Sequence, residues 1–167
     1  NAWVDNLIRY SDYSNRLARG SAYVKQGAVI DLQINEGSVS AKVQGSRKTP
    51  YNVDITIKQF PPADWEEIRT KCEGRIESLQ ELIESKFPSD LADLFTTKKT
   101  GLFPSPSDIS FKCSCPDWAS MCKHVAAALY GVGARLDEDP AIFFILRKAD
   151  INHSFAWRKN IPTTSSC

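Results

Sequence analysis

Long apolar stretches are missing from this 167-residue sequence: no run approaches the ~20 residues needed to cross a bilayer, so no membrane-spanning helix is expected. The start, Asn1-Ala2-Trp3-Val4-Asp5, has neither a basic segment nor an apolar one, and no secretory signal is expected. An initiator methionine is also absent, which suggests a processed or truncated fragment. Charge excess is lacking: 21 Lys and Arg face 20 Asp and Glu, and a net charge of +1 argues against strong whole-molecule attraction to nucleic acid. With only two histidines there is no His-Glu-x-x-His, and no His-x-Glu followed by Pro-Cys-x-x-Cys. The signatures of zinc proteases and zinc deaminases are therefore both missing. No internal repeat or low-complexity tract occurs, and the five cysteines are not spread as a disulfide framework would be.

What is present suits a globular fold, with 42% hydrophobic and 25% charged residues. Three of the cysteines fall within ten residues, which points to metal in a reducing compartment and hence to the cytoplasm. The charge is uneven: residues 1–60 carry eight basic against five acidic groups, 61–95 four against nine, and 96–135 five against two.

Helical spacing of Trp3, Val4, Leu7 and Ile8 predicts a first helix, and a second is expected from Ser14 through Leu17 and Tyr23 toward Gly27, weakened by Gly20. From Ala28 the pattern alternates. Three antiparallel strands are predicted around Ile30-Leu32-Ile34, Val39-Ala41-Val43 and Val53-Ile55-Ile57, the first pair joined by the tight turn Asn35-Glu36-Gly37-Ser38. The longer connection from Gly45 to Pro50 carries Arg47 and Lys48, either contact residues or solvated turn residues. Trp65, Ile68, Cys72, Ile76, Leu79 and Ile83 form a helical apolar stripe, on which Cys72 reads as core. A cap at Ser89-Asp90 and a loop from Lys98 to Ser110 follow. Asp139-Pro140 then precedes the apolar Ala141–Leu146, a capped helix start.

The informative segment lies between the loop and that helix: Cys113-Ser114-Cys115, six residues, then Cys122-Lys123-His124. Three thiolates and one imidazole make a complete tetrahedral zinc set, with bonds of ~2.3 Å to sulfur and ~2.0–2.1 Å to nitrogen. Soft sulfur ligands disfavour calcium and magnesium. Residues two apart point about 200° away from each other around a helix, so Cys122 and His124 cannot both face one ion from regular helix. The helix is therefore predicted to begin at this pair, run through Val125-Ala126-Ala127-Ala128-Leu129-Tyr130, and stop near Gly131 or Gly133. Pro116 disfavours the helical region for Cys115, which places Cys113 and Cys115 on a strand end or tight turn. His153 lacks neighbouring ligands, and Cys167 is terminal.

Cys-x-Cys-x(n)-Cys-x-His resembles the SWIM zinc-finger family. Arg16-Leu17-Ala18-Arg19-Gly20, Ala41-Lys42-Val43-Gln44-Gly45-Ser46-Arg47, Pro50-Tyr51-Asn52-Val53, Cys115-Pro116-Asp117-Trp118 and Asp139-Pro140 look like the prokaryotic SWIM proteins found with Swi/Snf-type ATPases. One departure is Leu146-Arg147-Lys148, where such relatives are expected to carry Gly after Leu-Arg. The resemblance implies the ligand role for Cys113, Cys115, Cys122 and His124, and binding of DNA or a protein partner.

The expectation is an α+β fold: a small antiparallel three-stranded sheet packed with helices, plus a C-terminal zinc-finger lobe. Its parts are residues 1–60 (helices and β-meander), 61–110 (helical segment and loop), 111–136 (finger) and 137–167 (helix and tail), in one compact unit. The expected function is recognition of DNA or of a Swi/Snf-type ATPase, with Arg47, Lys48, Lys112 and Lys123 as candidate phosphate contacts and Trp118 or Trp157 as candidate protein anchors. A purely structural subunit of a larger assembly is the alternative, and behind it a zinc- or cysteine-dependent enzyme. Enzymatic activity is not expected, because four protein ligands leave a zinc ion no open position for water.

Overall fold

A computed structural model describes residues 2–8, 14–64, 103–117, 121–139 and 142–148. The expected stripe from Trp65 to Ile83 with Cys72, the cap at Ser89-Asp90, and Trp118, His153, Trp157 and Cys167 lie outside the described residues. The elements run α1 (Ala2–Ile8), α2 (Ser14–Lys25), β1 (Val29–Asn35), β2 (Ser38–Val43), β3 (Tyr51–Ile57), a 3-10 turn (Pro106–Asp108), β4 (Ile109–Cys113), α3 (Lys123–Glu138) and α4 (Ile142–Arg147).

The sheet is antiparallel in the order β1-β2-β3-β4, so it has four strands where three were expected. The addition is β4, whose Ile109, Phe111 and Cys113 pair with Ile57, Ile55 and Val53 of β3. The segment that carries the first cysteine is thereby part of the main sheet. Alternation governs the central strands: Val39, Ala41 and Val43 on β2 and Tyr51, Val53, Ile55 and Ile57 on β3 are buried, while Ser40, Lys42, Asn52, Asp54 and Thr56 face outward. The buried face packs under α3, whose Val125, Ala126, Ala127, Ala128, Leu129 and Val132 are fully enclosed.

Helix α3 also packs along α2, at a crossing made close by a glycine. A Cβ on Gly20 would lie 2.5 Å from the Ala126 Cβ and 2.6–2.7 Å from the backbone of Ala126 and Ala127. The residue that weakened the sequence reading of α2 is thus what lets two helices approach backbone to side chain. Helix α2 ends as a Schellman motif: Gly27 at φ +69 donates to Val24 O, and Ala28 donates to Tyr23 O at 2.9 Å.

The predicted end of α3 near Gly131 or Gly133 is corrected by the structure, in which the helix continues to Glu138. Both glycines lie inside it. A Cβ on Gly131 would approach Leu32 Cδ2 to 3.1 Å, so here the missing side chain serves packing against β1. At the other end of the core, Trp3 Nε1 donates to Leu129 O (3.1 Å), which docks α1 on α3. Helix α4 buries Phe143, Phe144 and Leu146, as its apolar sequence suggested. Its buried Arg147 donates through Nη1 to Lys58 O at 3.0 Å and stands 4.0 Å from Asp108, tying the helix to the end of β3 and to the 3-10 turn.

Candidate metal centre

Two arms of the chain converge on one point. The first is the end of β4, extended by one residue because Ser114 N donates to Asn52 O while Asn52 N donates to Ser114 Oγ, both at 3.0 Å. That pair of hydrogen bonds fixes Ser114 against β3 and leaves Cys113 and Cys115 on either side of it. The second arm is the start of α3. Cys122 is the N-cap, with extended backbone (φ −81, ψ 172), and its Sγ accepts the Val125 N–H at 3.4 Å. His124 lies one residue into the helix, so the change from extended to helical backbone brings Cys122 and His124 to the same side, as their spacing required. Arg16 Nη1 donates to Met121 O at 3.0 Å and holds the approach to this cap from α2.

The ligand atoms of Cys113, Cys115, Cys122 and His124 all lie within 4.8 Å of one another, and this set can hold a metal ion. His124 Nδ1 is 3.9 Å from Cys113 Sγ and 3.8 Å from Cys122 Sγ. A tetrahedron with ~2.3 Å sulfur and ~2.0 Å nitrogen bonds has edges of roughly 3.5–3.8 Å, so the two His124 contacts need to close by only a few tenths of an ångström and the widest pair of ligand atoms by about 1 Å. Cys122 and His124 are buried, at 2% and 3% exposure, whereas Cys113 and Cys115 are half-buried.

Without an ion the environment favours neutral groups. Burial pushes the Cys113 thiol from 9.0 up to about 12, and the Cys122 thiol is likewise raised, the Val125 N–H partly offsetting the effect. His124 is shifted down by burial and then by the Lys123 charge, which keeps the imidazole neutral and able to ligate. A cation among the sulfurs reverses the balance and favours thiolate.

The imidazole is held by rings. Tyr51 stacks on it at 4.3 Å between centroids with planes 30° apart, and Tyr23 meets it edge-on at 5.6 Å. Nδ1 faces the sulfurs, and Nε2 is buried against Gly45 with no hydrogen-bond partner among the described residues. Each tyrosine carries a cation: Arg47 lies 5.4 Å from the Tyr51 centroid and Lys123 Nζ 5.3 Å from that of Tyr23. Lys123 is also shifted upward, first through its hydrogen bond with Tyr23.

Of the four candidate phosphate contacts, Arg47 and Lys123 are therefore brought together around His124. Lys48 is exposed in the same loop as Arg47. Lys112 stands apart, on the outward face of β4 opposite Asp54. Residue-by-residue reading missed Tyr23, Tyr51, Gly45 and Arg16 as parts of the centre. Their signal was the resemblance, whose matching segments include Arg16, Gly45 and Tyr51.

Fold and site together describe an α+β protein with a Cys3His candidate metal centre. No family model matches the chain. The chain is similar to "Uncharacterized protein Rv2102" of Mycobacterium tuberculosis (strain ATCC 25618 / H37Rv), with 39% identity over 142 residues. The match covers 83% of this chain and 51% of that protein, so the chain spans about half the length of this relative. No solved structure matches. Among the described residues, no helix is long and apolar enough to cross a membrane.

Proposed function

We propose that this chain is a zinc-dependent recognition module of SWIM type that binds DNA through a basic surface built around the metal centre. The observation that carries the reading is the ring stack on His124. One face of the ligand imidazole leads through Tyr51 to Arg47, and its edge leads through Tyr23 to Lys123, so the rings that hold the candidate ligand His124 also carry two cations at the surface. Cys113, Cys115, Cys122 and His124 would be the ligands, all four positions being filled by protein. That supports a structural ion and a chain that is not an enzyme. Bound zinc contributes on the order of 10–16 kcal/mol at such sites in small domains, enough to decide whether the two arms are locked together.

Phosphate contacts of this kind set position and affinity without reading sequence. The test is fluorescence anisotropy with labelled duplex and single-stranded DNA over a range of salt concentrations. Binding that weakens linearly in log–log form is expected, and Arg47→Ala and Lys123→Ala should each reduce the slope by about 1. Absence of salt-dependent binding by the zinc-bearing chain would contradict the reading. The family resemblance adds a Swi/Snf-type ATPase as a protein partner, to be checked by co-purification with such an ATPase.

A further inference from the structure

Beside the metal centre is an open cleft of about 420 Å³, between the C-terminal end of α2 and the loop that follows β2. A volume of this size accommodates a small organic group. Tyr23, Gln26, Gly27, Gln44, Gly45 and Ser46 contribute to its lining. Among the described residues, no carboxylate, ammonium or guanidinium is part of its lining, and the side chains offer amide and hydroxyl donors and acceptors. The cations are outside. Arg47 continues the same loop on Tyr51, and Lys123 sits on Tyr23.

The cleft is built on fixed backbone. Gly27 and Ala28 are bonded into the end of α2, and Gln44 N donates to Ala28 O at 2.7 Å, which joins the two walls. The Gln44 side chain donates through Nε2 to the carbonyls of Gly45 and Arg47, leaving its Oε1 as an acceptor. Behind Gly45 lies the buried Nε2 of His124, unpartnered among the described residues: a Cβ at position 45 would be 2.9 Å from that nitrogen and 2.5 Å from Tyr51 Cε2. The wall between cleft and imidazole is one glycine thick.

Resting on the nucleic-acid reading above, we propose that this cleft takes a single nucleobase from an unpaired segment of nucleic acid, with the adjoining phosphates held at its rim by Arg47 and Lys123. The division of chemistry supports this orientation. A phosphate inside would meet neutral side chains and the negative end of the α2 dipole, whereas at the rim it meets two cations. A base needs the opposite: neutral, directional donors and acceptors such as the Gln26 and Gln44 amides, in the manner of base edges bound by glutamine.

The experiment is an amide NMR titration of the full chain, purified without chelator, with each of the four deoxynucleoside 5′-monophosphates and, separately, inorganic phosphate. Saturable shifts at residues 26–28 and 44–46 are expected with at least one nucleotide, whereas inorganic phosphate should move only amides near Arg47 and Lys123. Gln26→Ala, an exposed change that leaves the fold intact, should weaken that nucleotide about three- to tenfold. Silent cleft amides with all four nucleotides, the same pattern from inorganic phosphate, or unchanged affinity in Gln26→Ala would overturn the proposal. Oligonucleotide binding with silent cleft amides would sink the base site and keep the DNA reading. Cleft shifts from mononucleotides without any oligonucleotide binding would keep a base-binding cleft and remove the DNA reading.

Discussion

Burial at the candidate ligands gives the metal-free chain a defined pH response. The Cys113 thiol rises from 9.0 to about 12 on folding, so the stability linked to it is fully present below pH 9.0 and is lost as pH climbs through about 12. His124 is shifted the other way, from 6.5 downward, so its contribution is present above pH 6.5 and is lost as pH falls through the folded value. Urea denaturation in chelator is therefore expected to give a midpoint highest between these limits and falling on both sides; a flat profile would contradict the burial argument. Metal uptake must displace the thiol protons, so metal affinity should also fall with falling pH. Lys148 offers a second test at this scale. It follows α4 with φ +50, the left-handed region where glycine is favoured, and it is the position at which the resembling proteins led us to expect glycine. Since a side chain costs about 1–2 kcal/mol in that region, Lys148→Gly should stabilise the chain by about 0.5–1 kcal/mol after loss of the Lys148 packing over Gly37. Thermal unfolding would show it, and a lower midpoint would mean that the packing matters more than the backbone.

Helix α3 connects ligands, sheet and α2, and the glycines decide how closely. Gly20→Ala would ordinarily favour a helix by about 1 kcal/mol, but here the new methyl meets backbone of α3 at 2.6–2.7 Å. A net destabilisation of about 1–3 kcal/mol is expected in chemical denaturation, and a neutral or stabilising result would show that the two helices can part without cost. The same residues explain what could be read from sequence. Strands β1 to β3 were legible because alternation was continuous over Val39–Val43 and Val53–Ile57, and the start of α3 was legible because two ligands two residues apart forbid a helix between them. Strand β4 was legible only at its end, where Pro116 pointed to a strand end or tight turn at Cys113 and Cys115; as a fourth strand of the sheet it was not, because its five residues follow a proline-bearing loop and are too few for a pattern to stand out. The end of α3 was misread because Gly131 and Gly133 look like stops until the sheet beneath them is known.

At the scale of the molecule, the expected finger is continuous with the sheet: its first arm is β4, hydrogen-bonded to β3, and its second is the helix that covers the sheet's buried face. The four candidate ligands were legible in the sequence because their chemistry and spacing are local. The tyrosines that hold His124 were not, since Tyr23 lies on α2 and Tyr51 on β3, and only folding brings them to the ring. This arrangement makes the centre a brace between sheet and helix, so removal of metal should loosen β4 against α3 while β1 to β3 keep their pairing. Hydrogen exchange with and without chelator would register that difference as lost protection at residues 109–115 and 122–126; uniform protection in both states would count against the brace.

The most direct test is the metal content of the chain purified without added metal, beside Cys113→Ser and His124→Ala. About one zinc per chain is expected, lost in both variants while the strand signal in circular dichroism remains. A parent chain that carries no zinc, and takes up none when it is offered, would contradict the account at its centre.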